Sequence, residues 1–204
     1  MENMKWWQIE GQSLAFAVRE AGYDLTMFYD YPPDVQESLK KAAIANVMSN
    51  LIYDFEEKYS KPLPDIKKGV YVIGLSDPFT IAYGEWSSET IYIGQGNIVN
   101  RLETHFKNSL FKVMMSLAGA DFKFYLSEPV HGEGADFHKH VEHMLLEKFK
   151  QKSGGSFPLL NEKAGSKRNY DSLPKGWDTP LKMSGKKPIW AISPTKFWNF
   201  AKLD

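Results

Sequence analysis

The sequence contains no cysteine. This absence excludes disulfide bonds and thiolate metal sites, and it fits the reducing interior of a cell. No stretch approaches the roughly 20 consecutive apolar residues that a membrane-spanning helix needs. The N-terminal residues MENMKWWQIEGQ also lack the long apolar segment, after a basic start, that marks a secretory signal peptide. We therefore expect a cytoplasmic protein that does not enter a membrane.

Net charge is also lacking, because 25 basic and 25 acidic residues balance. The balance is uneven, since residues 165–204 contain eight basic and three acidic side chains. Such a segment is typical either of a surface that contacts an anionic polymer or of a lysine-rich soluble tail. Apolar residues, by contrast, are plentiful. The 204-residue chain is 43% hydrophobic and 14% aromatic, which is enough for one packed domain with appendages.

One long helix and three strands are predicted from the spacing of apolar residues. Apolar side chains recur every four residues between positions 34 and 59, just after Pro32-Pro33, which indicates an amphipathic helix. We expect this helix to pack on the rest of the chain, and an interface with a second copy or a partner protein is the alternative. Strands are predicted at 69–75, 90–94 and 122–126, the first two forming a hairpin with a long loop.

Two further helices are predicted after the second and third strands. Asn97 and Asp136 precede apolar stripes and suit the N-caps of these helices. The order of elements indicates an α/β (α+β) fold, with a small, mainly antiparallel three-stranded sheet flanked by helices. Its predicted parts are an N-terminal helical extension (1–68), a central domain (69–165) and a basic, aromatic-containing C-terminal extension (166–204).

Two common kinds of site are not favoured by the spacing. Gly94-Gln95-Gly96 follows a strand, but a dinucleotide-binding turn needs a third glycine where Val99 stands. His138, His140 and His143 lie on one predicted helix, yet His140 points about 200° away from His138. A zinc site on this helix alone is therefore not expected. We expect most of these histidines to lie on a solvated polar face.

The helix that Asn97 begins carries a more informative pair, Arg101 and His105, four residues apart. Each follows a residue of the apolar stripe by three positions, which places it about 60° from that stripe. From this edge a side chain can reach a cleft between helix and sheet. Glu142 holds a similar border position on the later helix. Any one of these residues alone would be interpreted as an ordinary surface side chain.

Taken in chain order, these residues resemble the motifs of the GIY-YIG nuclease family. The matching positions are Gly69-Val70-Tyr71, Tyr92-Ile93-Gly94, Arg101, His105, Glu142 and Asn161 of Phe157-Pro158-Leu159-Leu160-Asn161. The resemblance covers about residues 69–165, under half of the chain. The chain departs from the family pattern in three respects. Tyr92 comes 21 residues after Tyr71, Gly-Gln-Gly replaces the commoner turn, and many members have the arginine one residue later.

The resemblance implies a metal-dependent endonuclease that hydrolyses DNA phosphodiester bonds, bacterial or phage-encoded, with a role such as restriction or defence. It implies one divalent ion, Mg²⁺ (or Mn²⁺), on Glu142, since a hard ion with few protein ligands keeps waters and takes phosphate oxygens. Arg101 would contact the scissile phosphate, whose geometry suits a guanidinium fork. In the basic tail, Lys186 and Lys187 would add nucleic-acid contacts.

The resemblance also implies that Tyr71 is the general base. A free phenol has a pKa near 10, so Tyr71 needs help from neighbouring hydrogen bonds or positive charge. Tyr92 and His105 would orient Tyr71 or the water, and Asn161 would fix local structure or hydrogen-bond within the site. Two alternatives stay open: a catalytically inactive module of the same fold that binds nucleic acid or protein, and a secreted nuclease toxin.

Overall fold

The computed structural model describes residues 3–12, 19, 25–77, 79–83, 86–117, 120–129, 134, 136–168, 170, 172–181 and 190–192. The fold in these ranges is mixed α+β, which confirms the predicted class. None of the helices in the described ranges combines the length and apolar character needed to cross a membrane.

The elements follow one another in an order close to the predicted one. They are β1 (Trp7–Gln12), α1 (Pro33–Tyr59), β2 (Gly69–Leu75), β3 (Phe79–Tyr83), β4 (Trp86–Ser88), β5 (Thr90–Gly96), α2 (Ile98–His105), α3 (Phe111–Ser116), β6 (Phe122–Ser127), α4 (Phe137–Lys152) and β7 (Trp190–Ile192). A π-helical turn, Phe106–Leu110, joins α2 to α3. Short 3₁₀ turns lie at Leu25–Asp30, Leu63–Asp65 and Thr179–Leu181.

The central sheet has four antiparallel strands, in the order β1-β6-β2-β5. The prediction of three strands was therefore wrong, and the missing strand is β1. It pairs with β6 so that Trp7 lies opposite Leu126 and Ile9 opposite Phe124. Both residues are buried, whereas Gln8 and Glu10 between and after them are less so. This alternation is too short to predict a strand from sequence. Pairing with the side chains of β6 is what stabilises the strand conformation here.

Strand β2 lies inside the sheet, between β5 and β6, and all seven of its residues are buried. Its continuous apolar sequence, GVYVIGL, is what a strand covered on both faces requires. The predicted hairpin between β2 and β5 is confirmed, and its long connection holds β3 and β4, which pair with each other. Strand β7 runs parallel to β3, so that β3 lies between β4 and β7 in a second, smaller sheet.

Helix α1 packs on β1 and α2, as predicted for a helix that covers the rest of the chain. The ring of Phe55 meets the ring of Trp7 edge-on, with 5.6 Å between centroids. The use of this helix as an interface with another chain stays a prediction, as do the domain limits at 68/69 and 165/166. The buried side chains of α1 repeat every three or four residues: Leu39, Ala43, Ile44, Val47, Met48, Leu51 and Phe55.

The two predicted N-caps differ in outcome. Asn97 caps α2, because its side chain accepts a hydrogen bond from the Asn100 backbone N–H at 3.1 Å. Asp136 precedes α4, but its carboxylate accepts no bond from that helix's backbone. The carboxylate pairs instead with Lys139 at 2.9 Å and Arg168 at 3.5 Å. The capping prediction for Asp136 was wrong because side-chain cations close by compete for the same oxygens.

Candidate functional site

Tyr71, on β2, is the centre of the candidate site. The residue is fully buried. In the ladder it lies directly opposite Gly94 of β5. A Cβ atom at Gly94 would stand 2.5 Å from the Tyr71 Oη and 2.6 Å from the Tyr92 Cε1. The absence of a side chain at Gly94, the last residue of Tyr92-Ile93-Gly94, therefore leaves the space that the Tyr71 ring occupies.

The Tyr71 hydroxyl meets two side chains from α2. His105 Nε2 is 2.9 Å from the Tyr71 Oη, and Arg101 Nε approaches the same oxygen at 3.4 Å. Strand β5 ends at Gly96, which has a φ of 121°, a conformation that suits glycine. The chain then turns into α2, and this turn brings Arg101 to the end of β5. The helix edge that holds Arg101 and His105 thus faces the cluster.

Three aromatic rings converge at this point. The Tyr92 ring lies 4.1 Å from the His105 ring, centroid to centroid. The Tyr71 and Tyr92 rings are nearly parallel, 6.0 Å apart. Because Tyr92 stands opposite Ile73, two residues along β2 from Tyr71, both tyrosines project from the same face of the sheet.

Burial sets the protonation of the Tyr71–His105 pair. Burial is the main cause that raises the pKa of Tyr71, Tyr92 raises it further, and Arg101 opposes both. Burial, with a smaller effect of Arg101, lowers the pKa of His105 to about 4. At neutral pH the phenol therefore keeps its proton and the imidazole is uncharged. Arg101 Nε–H donates to the Tyr71 oxygen, which leaves the phenolic O–H to donate to His105 Nε2.

Glu142, on α4, is the carboxylate of the cluster. Burial raises the pKa of Glu142 to about 7, and the Arg101 charge opposes this rise. Glu142 in turn contributes to the raised pKa of Tyr71. The carboxylate therefore belongs to the electrostatic surroundings of both Arg101 and Tyr71, although α4 is far from them in sequence.

Asn161 has a different place from the other predicted site residues. Its side chain forms two hydrogen bonds with the backbone of Ile93: Nδ2 donates to the carbonyl and Oδ1 accepts from the N–H, each at 2.9 Å. The neighbouring Leu160 N–H donates to the carbonyl of Ile91 at 2.9 Å. These bonds hold the segment that contains Asn161 along the free edge of β5. The side chain thus supports the strand that carries Tyr92.

Two features of the site were missed or misjudged from sequence. The expectation of solvated histidines was wrong for His138 and His140, each 6% exposed. The chain after Asn161 covers this side of α4, and the Tyr170 ring lies 5.2 Å from that of His140. The second feature is Gly165, where a Cβ atom would stand 2.8 Å from Glu142 Oε2. No local pattern identifies such a glycine, because the contact is entirely tertiary.

Glu142 was also assessed as a ligand for the predicted metal ion. Within the described residues, no group of three or more His, Asp or Glu side chains could hold a metal ion. A fully protein-built cage is therefore not formed by these residues. A single carboxylate whose charge is unfavourably buried suits a hard cation that keeps waters and takes its other ligands from phosphate. Glu142 has this character.

Lys186 and Lys187, the predicted nucleic-acid contacts of the tail, lie outside the described residues.

Comparisons with protein-family models, with curated proteins and with solved structures each give no significant match to this chain.

Proposed function

We propose that the chain is a metal-dependent endonuclease that resembles the GIY-YIG family and hydrolyses DNA phosphodiester bonds. One observation carries the proposal. The hydroxyl of Tyr71 lies 2.9 Å from His105 Nε2 and 3.4 Å from Arg101 Nε, with Tyr92 against the same imidazole. These side chains come from two strands and a helix and have no shared local motif. Their convergence gives a proton-transfer pair next to a guanidinium, and phosphodiester hydrolysis can use the pair to activate water and the guanidinium to stabilise phosphate charge.

Tyr71 and His105 would act as one unit. A phenol whose pKa is raised by burial is a poor base if it must first ionise. The observed hydrogen bond removes that need, because the Tyr71 oxygen can take a proton from water while its own proton passes to His105 Nε2. The phenol then stays neutral throughout. An anionic phosphate beside His105 would favour the imidazolium that results.

Arg101 would leave the Tyr71 oxygen when the substrate arrives. Its side chain is exposed, so the guanidinium can turn towards a phosphate and form two parallel hydrogen bonds with it. This movement would also open the Tyr71 oxygen to the attacking water, since the tyrosine itself is fully buried. Glu142 would hold Mg²⁺ or Mn²⁺ in this arrangement. When bound, the ion would supply Lewis-acid stabilisation of the negative charge that develops on the phosphate and on the leaving oxygen.

One observation favours a second candidate function. Tyr71 has no exposed surface and its pKa is raised, both of which suit a structural tyrosine. A module of this fold without catalytic turnover, binding nucleic acid or protein, is therefore the competing proposal. The intact set of Tyr71, Tyr92, Arg101 and Glu142 supports the enzyme. A cytoplasmic setting is compatible with either, whereas the secreted nuclease toxin requires the enzyme.

The test is cleavage of supercoiled plasmid in Mg²⁺. We expect the wild-type protein to nick or linearise the plasmid, and Glu142→Ala to lower the rate by at least about 100-fold. Tyr71→Phe should lose about 10² to 10⁴-fold, because the proton relay is removed. Glu147→Ala on the same helix and Tyr53→Phe, an exposed tyrosine of α1, serve as matched controls and should remain active. An inactive wild type, or a Glu142 variant as active as wild type, would rule out the proposed enzyme.

A further inference from the structure

Residues 162–168, the sequence EKAGSKR, pass directly over Glu142, and we refer to them as the strap. Gly165 lies at its middle, close enough that a Cβ atom there would stand 2.8 Å from Glu142 Oε2 and 3.4 Å from the Cα of His143. The Gly165 carbonyl also lies 2.9 Å from His143 Nδ1, which donates to it as an N–H. The strap is therefore seated on α4 beside the carboxylate of the candidate site.

The C-terminal end of the strap is held at the start of the same helix. Arg168 Nε lies 3.5 Å from a carboxylate oxygen of Asp136, whose other oxygen pairs with Lys139 at 2.9 Å. Arg168 Nη1 donates to the carbonyl of Lys167 at 3.3 Å. Arg168 thus has partners within the protein, on Asp136 and on the backbone of Lys167.

The two lysines of the strap are placed differently. Lys163 and Lys167 stand two residues on either side of Gly165, and both are exposed. Neither forms an ion pair with any residue that the structure describes, in contrast to Lys41 and Lys107, which pair along their helices. The strap therefore presents two exposed ammonium groups, one two residues before Gly165 and one two residues after it.

The spacing of these cations suits a DNA strand. Four residues span at most about 14 Å, and flexible lysine side chains can shorten or extend that reach. One strand of DNA carries a charge about every 3.4 Å along the helix axis. Lys163 and Lys167 can therefore reach phosphates on opposite sides of a phosphodiester held at Glu142. A protein with no net charge needs such a local concentration of cations to hold a polyanion.

We propose that the strap is a DNA-backbone clamp, in which Lys163 and Lys167 bind the phosphates that flank the bond presented to Glu142. This proposal rests on the proposed function for the position of the cleaved bond. It differs from the prediction for Lys186 and Lys187, since it assigns the substrate contact to a segment in van der Waals contact with the site.

The test measures binding separately from cleavage. Fluorescence anisotropy follows a labelled DNA duplex in EDTA, where a metal-dependent nuclease leaves the DNA intact, over a series of salt concentrations. A plot of log K against log salt has a negative slope. The double variant Lys163→Gln/Lys167→Gln should make this slope less steep by about 1.8, or about 0.9 for each lost phosphate contact. The matched control, Lys41→Gln/Lys112→Gln, removes two exposed lysines from α1 and α3 and should leave the slope unchanged. Lys163→Arg/Lys167→Arg should keep the wild-type slope.

The outcomes distinguish the proposal of a DNA clamp from the proposal of an enzyme. An unchanged slope in the glutamine variant, an equal loss in the control, or a wild type that binds an RNA duplex and not DNA would each overturn the strap proposal. Plasmid cleavage in Mg²⁺ is measured on the same proteins. A wild type that cleaves, with a strap variant of unchanged slope, leaves the enzyme standing without the clamp. A wild type that does not cleave, with the expected loss of slope, leaves a DNA-binding strap without the enzyme.

Discussion

Glu142 provides the sharpest test of how the candidate site is built, through the stability of the protein. Burial raises the pKa of Glu142 to about 7, from an ordinary value of 4.5. Below pH 4.5 the side chain is neutral in both the folded and the unfolded chain, and folding carries no charge penalty. As the pH rises to 7 the unfolded chain loses this proton first, so stability falls. Above pH 7 both states are ionised and the whole penalty applies.

The size of the penalty follows from the two pKa values. Their difference corresponds to about 3.4 kcal/mol at 1.36 kcal/mol per pKa unit. Because Glu142 is only half-buried, solvent screening reduces this figure, and we expect about 1–2 kcal/mol. Glu142→Gln keeps the shape and removes the charge. At about 2–4 °C per kcal/mol for a chain of this size, the variant should melt about 2–8 °C higher than wild type at pH 8.

The assay is thermal unfolding by circular dichroism at pH 8 and pH 5, for wild type and Glu142→Gln. Most of the gain should vanish at pH 5, where the folded wild type already carries the proton. Adding Mg²⁺ at pH 8 should raise the Tm of wild type, by an amount equivalent to about 2.7 kcal/mol when the ion is at 100 times its Kd, and should not raise that of the variant. Glu147→Gln on the same helix is the matched control. A variant whose Tm equals that of wild type at pH 8, or whose gain in Tm at pH 5 equals its gain at pH 8, would refute the assignment of a buried, charged Glu142.

Two further substitutions probe the space around Tyr71 and the role of Arg101. Gly94→Ala should cost about 1–3 kcal/mol in the free energy of unfolding, because the new Cβ meets the Tyr71 ring at 2.5–2.6 Å. Gly74→Ala meets only movable side chains closer than 3.5 Å and should cost less, so equal losses in denaturant titrations would contradict the position of the ring. Arg101→Lys should lower the plasmid-nicking rate by roughly 10 to 100-fold, since an ammonium lacks the guanidinium fork. The exposed Arg19→Lys is its control, and an Arg101 variant as fast as wild type would show that no bidentate contact is made.

The parts of the fold that sequence could predict are those specified by local chemistry. The continuous apolar run of β2, the four-residue repeat of α1 and the Asn97 cap each require no knowledge of distant residues. Motif order added something that spacing alone could not, namely which side chains to consider together. The edge position of Arg101 and His105 on their helix predicted a cleft-facing pair, and the structure brings both to one phenol.

The remaining features depend on residues far apart in the chain. Strand β1 is specified by its pairing with β6 and by the contact of Trp7 with α1, more than a hundred and about fifty residues away. The burial of His140 follows from its covering by the chain near Tyr170. Gly165 is indistinguishable in sequence from any loop glycine until α4 is placed beneath it. Sequence periodicity reports on one element at a time and cannot register contacts of this kind.

The pKa shifts in the cluster have a common origin, and this has a consequence for substrate binding. Burial is the main cause that raises the pKa of Tyr71 and of Glu142, and also the main cause that lowers the pKa of His105. At neutral pH the tyrosine and the histidine are therefore neutral and the raised pKa of Glu142 keeps its ionisation incomplete, while Arg101 keeps its full charge. The cluster is thus slightly positive even though it contains a carboxylate, which suits the approach of a phosphate. Above pH 7, Glu142 becomes fully charged and this balance is lost unless a cation binds, so phosphate affinity without metal should fall as the pH rises.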